Sequence, residues 1–423
     1  MKTLVLILLA LLFSKQSFAM TKGFNLTEYE GFLYDASADT KTDAQNAVDR
    51  AKELGANHIE LNVRAKMIGP FANEIIPVSP ATESSLELKR MVRLMKYIKA
   101  QGMTVGIRPI FFVVGLNGEF PLFEKQPDGS VKTWWHGNIQ PSNPTSWFLS
   151  FQNYLDRYAL VAKFGKADAF TIGAELYSMT VGVEDQWKEY PYGFPNQWLT
   201  ILRYIKAKLA TTGTKIAYDI NFTDDSNVDQ SGILKSGGEL ERWRYRLVDL
   251  ANPSDPKQLV VWQGLVQFWT ELDIIGIDMY RSFAGVDDSS SLTNDLAQVV
   301  SLLRKRADVH AQQLDNTLLE ISLTLDVEKT VVFKEIGYRS VEFAFINPFG
   351  YTSQQGTYSE LHQAAAYTTF FESFLSAGFS WFGGVSFWDI PIDPRASGPG
   401  DLGFSPVGKP LTSAQIKKYF LGQ

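Results

Sequence analysis

Apolar and polar positions fall into short blocks that repeat along the chain. Eight runs, at 23–27, 58–65, 104–113, 168–175, 215–222, 273–281, 330–337 and 382–389, have the length and the β-branched or aromatic content of strands. Between most of them lie stretches with apolar residues at helical spacing, over 43–54, 86–100, 147–164, 196–209, 292–312 and 359–377. Regular alternation of strand and helix implies parallel strands joined by helical crossovers. Eight such repeats predict an α/β fold, the closed (β/α)8 TIM barrel.

Alternation within the runs supports closure, because a barrel strand shows one face to the helices and the other to the interior. Ile59, Leu61 and Val63 share one face, and Glu60, Asn62 and Arg64 the other. Ile275, Ile277 and Met279 alternate with Gly276, Asp278 and Tyr280, and the same spacing places Asp219 and Asn221 together. An open doubly wound sheet would instead be apolar on both faces of its central strands. Two long connections, 114–144 and 223–262, interrupt the rhythm. Loops after barrel strands build the active face, so these insertions are expected to shape a cleft there.

With 45% hydrophobic and 20% charged residues, the 423-residue chain can bury a large core, and a single catalytic domain is expected over 20–423. Residues 1–19 combine Lys2, an apolar block from Leu4 to Phe13 and the small-residue end Ser17-Phe18-Ala19, the pattern of a secretory signal cleaved before Met20. Export to a bacterial periplasm or beyond is therefore expected, with no membrane span in the mature chain. The absence of cysteine excludes disulfides, thiolate metal sites and cysteine nucleophiles. Removing Lys2 and Lys15 from the 40 basic residues leaves 38 against 46 acidic ones, a net charge of −8 that disfavours a nucleic-acid partner. The four histidines, His58, His136, His310 and His362, show no metal-ligand spacing, and no phosphate-binding glycine loop or serine nucleophile elbow occurs. Neither a metal nor a cofactor is expected. Among the histidines, only His136 lies on an active-face loop.

Two glutamates end strand runs: Glu175 in Phe170-Thr171-Ile172-Gly173-Ala174-Glu175 and Glu335 in Val331-Val332-Phe333-Lys334-Glu335. Burying a carboxylate at a strand end is costly unless a partner or a substrate uses it. Thr171 and Gly173 share parity with Glu175, and Val331 and Phe333 with Glu335, so both series are expected to face inward. The fourth and seventh strands face each other across an eight-stranded mouth. Glycoside cleavage with retention needs two carboxyls about 5 to 5.5 Å apart, one protonating the leaving oxygen and one attacking the anomeric carbon.

Four segments in order, Ile172 to Leu176, Asp273 to Tyr280, Phe333 to Tyr338 and Ser386 to Trp388, resemble glycoside hydrolase family 113, the endo-β-1,4-mannanases, within the clan A retaining glycoside hydrolases. The ending from Gly403 to Pro410 is similar as well. The resemblance spans the whole barrel. It implies that Glu175 is the general acid and base, Glu335 the nucleophile, and a mannan or glucomannan the substrate. A raised pKa is then expected at Glu175 and an ionised carboxylate at Glu335. Tyr280 and Arg108 are the candidates to hold Glu335, although Arg108 could instead neutralise Glu60.

The chain departs from the clan at Ala174, where most members place an asparagine that binds the sugar 2-hydroxyl; Asn62, Asp219 and Asn221 are the candidates to replace it. Sugar rings present flat C–H faces to aromatic platforms, and 13% of residues are aromatic, ten of them tryptophan. Trp388 at the end of the eighth strand is the expected platform, with Trp134, Trp135 and Trp187 on overhanging loops. A noncatalytic glycan-binding barrel of the cell envelope, or another clan A specificity such as a β-glucanase or β-mannosidase, fits the same residues.

Overall fold

The computed structural model describes residues 20–28, 31–78, 84–184, 186–228, 234–291, 294–350 and 356–422. The leader expected at 1–19 lies outside the described residues, as do 229–233 of the second long connection.

Eight parallel strands form the barrel: β1 (Thr21–Thr27), β2 (His58–Ile68), β3 (Thr104–Val114), β4 (Ala169–Ala174), β5 (Lys215–Thr223), β6 (Ile274–Tyr280), β7 (Val331–Glu335) and β8 (Phe382–Pro391). Each pairs with the next, and β1 pairs with both β2 and β8, which closes the sheet. The helices that follow the strands are α1 (Asp43–Glu53), α2 (Ser84–Ala100), α3 (Pro144–Gly165), α4 (Pro195–Leu209), α5 (Pro256–Glu271), α6 (Leu296–Leu325), α7 (Glu360–Phe370) and α8 (Pro410–Leu421). Their starts follow local chemistry. Thr42 and Gln45 form a reciprocal capping box on α1, and Asn143, Asp255 and Asp295 each accept the backbone N–H three residues on. Proline occupies the first turn of α3, α4, α5 and α8, where its missing N–H costs no helical bond.

Two of these helices interrupt what reads as loop. Helix α5 begins inside the 223–262 connection, and α8 follows the last strand run. The 114–144 connection carries a β-hairpin, Leu122–Lys125 with Val131–Trp134, and a one-turn helix at His136–Asn138. The 223–262 connection carries a second hairpin, Ser226–Val228 with Leu234–Ser236, followed by a short helix at Gly238–Arg244. Among the described residues no helix is long and apolar enough to cross a membrane.

The main apolar layer lies between barrel and helices. Trp198 of α4 packs on Tyr218 of β5 and Phe268 of α5, while Phe333 of β7 packs on Phe370 of α7 and on Phe374. Each such ring contributes roughly 1.5–3 kcal/mol through burial. The interior is polar instead. Glu60, Lys334, Arg108, Asp219 and Asp278 are all buried there, and glycines leave room for them. A Cβ on Gly106 would lie 2.5 Å from the Glu60 carboxylate, and one on Gly276 2.0 Å from Asp219 Oδ1.

The parity expected for the two glutamate strands is overturned. Phe333 faces the helices, and a Cβ on Gly173 would strike Trp198 and Tyr218 on that same outer side. Register shifts correct the direction. Between β6 and β7 the pairing steps from Ile277 with Phe333 to Asp278 with Glu335, so Lys334 and Glu335 together oppose Asp278. Between β4 and β5 it steps from Thr171 with Ala217 to Ala174 with Asp219. A bulge inserts a residue and re-aims the side chain that follows it.

Candidate active site

Glu175 follows β4 with a left-handed backbone, φ 55°, a conformation that costs a non-glycine residue roughly 1–2 kcal/mol. Its N–H donates to the carbonyl of Asp219 at 2.9 Å. At the carboxylate, His136 Nε2 lies 3.0 Å from Oε2, and Asn221 Nδ2 donates to Oε1 at 2.9 Å. The bulged end of β7 delivers Glu335. Tyr280 Oη donates to its Oε1 and Arg108 Nη1 to its Oε2, both at 2.6 Å. The two side chains keep 13% and 17% of their surface exposed, while Arg108 below them keeps 2%. Both carboxylates thus reach solvent from a buried polar base.

Arg108 organises that base. Its Nε donates to Asp219 at 2.8 Å, its Nη2 to Asp278 at 2.5 Å, and its Nη1 also reaches Asn62 Oδ1 at 3.3 Å. Glu60 takes a different cation, Lys334 Nζ at 2.5 Å, with His58 Nε2 at 3.0 Å, which settles the alternative raised for Arg108. One guanidinium cannot neutralise Asp219, Asp278 and Glu335 together. Burial, against the pull of Arg108, raises Asp278 well above the usual carboxylate range, with the charges of Asp219 and Glu335 adding to it. Burial raises Asp219 as well, against the charges of Arg108 and Lys334, so the three carboxyls compete for one guanidinium.

Burial is also the largest influence on the glutamate pair, and the outcome differs from expectation. It raises Glu335 above its ordinary value, Arg108 opposes it, and the charge of Glu175 adds to it. It pushes Glu175 up as well, but the bond and charge of His136, the charge of Arg108 and the bond from Asn221 carry Glu175 below its ordinary value. The two groups sense each other and titrate as a pair.

The remaining sequence candidates separate into rim and scaffold. Trp388, at the end of β8, is half-buried at the mouth, with its N–H bonded to the Ile336 carbonyl at 2.8 Å. Trp135 is half-buried, with its ring 4.9 Å from His136 and 5.7 Å from Tyr177. Trp134 is turned away. Its Nε1 bonds Glu124, Lys132 caps one face and Phe71 abuts the ring, so it anchors the hairpin. Trp187 anchors its own loop against Tyr190 and Phe194. Asn62 and Asp219 are fully buried and bonded to Arg108, so as candidates for the 2-hydroxyl they are corrected to supports of Arg108. Asn221 reaches the site, with its amide committed to Glu175.

The sequence pattern assigns no role to His136, Asp278, Lys334 or Glu239, the last of which accepts the Asn221 backbone N–H at 3.2 Å. Asp278 was visible in the inward alternation of β6. The adjacent charges of Lys334 and Glu335 at one strand end were the signal of a bulge.

The family model described as Glycoside Hydrolase Family 113 matches residues 31–208 and 259–409, more than half of the chain. No curated protein matches. A solved GH113 β-1,4-mannanase, in a complex, is 17% identical over 96% of this chain and 99% of its own, with a TM-score of 0.58. The GH113 β-mannanase AaManA from Alicyclobacillus acidocaldarius, in complex with ManMIm, gives the same identity and TM-score over 96% of this chain and 98% of its own. At such identity the structural likeness carries the barrel, and the family assignment rests on the sequence match. The chain is a glycoside hydrolase and belongs to family 113.

Proposed function

We propose that the protein hydrolyses β-1,4-mannosidic linkages in mannan or glucomannan by double displacement. The observation that carries this reading is the contrast between the two carboxylates. Glu335 is fixed by two bonds of 2.6 Å from Arg108 and Tyr280, while Glu175 is tied to a histidine and an amide. The guanidinium and the phenol hold both Glu335 oxygens in place for attack, while Glu175, held by an imidazole and an amide, keeps lone pairs open to a proton.

In the first step a Glu335 oxygen attacks the anomeric carbon. The glycosidic C–O pair leaves with the departing oxygen, which takes the proton of Glu175. In the second step Glu175 removes a proton from water, whose oxygen displaces Glu335 from the anomeric carbon. The pair must therefore carry one proton, on Glu175. Burial raises Glu335 and the donors lower Glu175, so the pH profile belongs to both groups together. The mannan preference follows the GH113 relatives, and the leader at 1–19 is consistent with export toward a polysaccharide.

Incubation with manno-oligosaccharides, glucomannan, cellulose and mixed-linkage glucan tests the reading. Shortened manno-oligosaccharides are expected from the wild type, and Glu335→Ala should lose at least roughly 10⁴-fold in kcat. Cleavage of glucan alone would reassign the substrate. Full activity of Glu335→Ala would remove the nucleophile from the mechanism.

A further inference from the structure

We propose that the two long insertions form a clamp on Glu175, one supplying His136 to Oε2 and the other bracing Asn221 against Oε1, and that this clamp fixes when Glu175 holds its proton. The proposal rests on the assignment of Glu175 as acid and base and adds what sets its state.

The first arm is the 114–144 insertion. His136 opens the turn that follows the hairpin, with its ring 5.9 Å from Phe111 on β3 and 4.9 Å from Trp135. The turn is tied by Trp135 N–H to Asn138 Oδ1 and Asn138 Nδ2 to the Thr133 carbonyl, each at 3.0 Å. Gly137 is a packing requirement, since a Cβ there would lie 2.5 Å from Tyr177 and 2.6 Å from Trp135. Tyr177 lies two residues beyond Glu175, so the insertion is locked to the segment whose carboxylate it touches.

The second arm is the 223–262 insertion, all but the last four residues of which lie in the stretch, 209–258, that the family model passes over. Gly238 lies so close to Asn221 that a Cβ would sit 2.3 Å from its Oδ1, and φ of 60° at Gly238 further favours glycine. Glu239 accepts the Asn221 N–H at 3.2 Å and is itself held by Trp243 Nε1 at 3.0 Å and Tyr218 Oη at 3.3 Å. Burial pushes Glu239 up to about 8, so near neutrality this third carboxyl adds no charge beside Glu175.

A carboxylate offers about four lone-pair positions. His136 and Asn221 occupy one on each oxygen, which leaves room for the proton that Glu175 passes to the leaving oxygen and regains from water. Both donors favour the carboxylate form, so the clamp makes Glu175 a stronger acid and lowers the pH at which it empties. The charged and titratable groups around Glu175 are His136 from the first insertion, Glu239 from the second, Arg108 on β3, Asp278 on β6 and Glu335 on β7. Among them, His136 alone lies within hydrogen-bond distance of the Glu175 carboxylate. It is a positioning residue, since it acts through Glu175.

The test compares wild type, His136→Ala, His136→Gln and Gly238→Ala. In His136→Ala the alkaline limb of kcat/KM is expected to move up by roughly one pH unit. Below the optimum, kcat/KM for a manno-oligosaccharide should fall about tenfold, the value of one charge-assisted hydrogen bond. A dinitrophenyl β-mannoside, whose leaving group needs no proton, should change less than about twofold in kcat/KM. His136→Gln keeps a donor and should restore the limb, and Gly238→Ala should reproduce the His136→Ala pattern by displacing Asn221. An unmoved limb, or equal losses on both substrates, would overturn the clamp. Titration of the Glu175 carboxyl by carbon NMR in wild type and His136→Ala reads the same shift without substrate. An identical midpoint in both overturns the clamp even if mannan is cleaved. A wild type that cleaves no β-mannoside, with a shifted midpoint, overturns the function and leaves the clamp standing.

Discussion

Two oxygens of Glu335, each with its own short donor, define the site at the scale of single residues. Tyr280→Phe removes the 2.6 Å bond to Oε1 while keeping the ring, and one bond to a charged acceptor corresponds to about 1.5–3 kcal/mol. A fall in kcat of roughly 10- to 100-fold is expected on that basis. Loss of the donor also disfavours the charged form of Glu335, so the acid limb of kcat/KM should move to higher pH, and steady-state profiles check both effects. The carboxylates themselves were legible in the sequence because acidic residues at the ends of apolar strands are unusual. Their supports were less so. The burial of Asn62 and Asp219 beneath Arg108 depends on three strands meeting at one guanidinium, which spacing along any single strand does not reveal.

The bulge at the end of β7 links element to site, because it lets Lys334 and Glu335 both face the interior, one toward Glu60 and the other toward the mouth. Replacing Lys334 with Met leaves Glu60 buried without its cation. A loss of about 3–5 kcal/mol is expected, read by denaturant unfolding, with part of it recovered when Glu60→Gln is added. Eight strands and six of the eight helices follow from the apolar pattern. Helix α5 escaped it because the helix starts at Pro256 within a polar connection and is apolar over much of its surface, and α8 because no ninth strand run follows to mark it as a connector. Simple alternation placed Phe333 and Gly173 inside when both face the helices. Periodicity of two holds only while the register is unbroken, and both catalytic strands break it next to the glutamate they carry.

For the whole molecule, the buried carboxyls set a pH dependence of stability. Glu60, where burial is overcome by Lys334 and His58, is lowered to about 2, so its stabilisation is present above the usual 4.5 and is lost as pH falls toward 2. His310, which burial lowers to about 4, also subtracts stability as pH falls below 6.5. Burial acts in the other direction on Asp389, Glu28 and Glu239, raised to about 6, 7 and 8. These three keep protons that the unfolded chain releases near pH 4, so each subtracts stability as pH rises from there to its own value. Each titrating group contributes at most about 1.4 kcal/mol per pH unit. Above about pH 4.5 the three carboxyls outweigh the one histidine, so melting temperature is expected to peak near pH 4 and to decline toward pH 8, and thermal scans from about pH 3 to pH 8 check it.

Double displacement requires a covalent bond between Glu335 and the sugar. Incubation with a 2-deoxy-2-fluoro β-mannoside bearing a good leaving group, followed by proteolysis and mass spectrometry, reads that bond directly. A fluoromannosyl adduct on the peptide containing Glu335, lost on reactivation with a sugar acceptor, is the expected result. An adduct on a different residue, or turnover to an α-configured first product with no adduct, would contradict it.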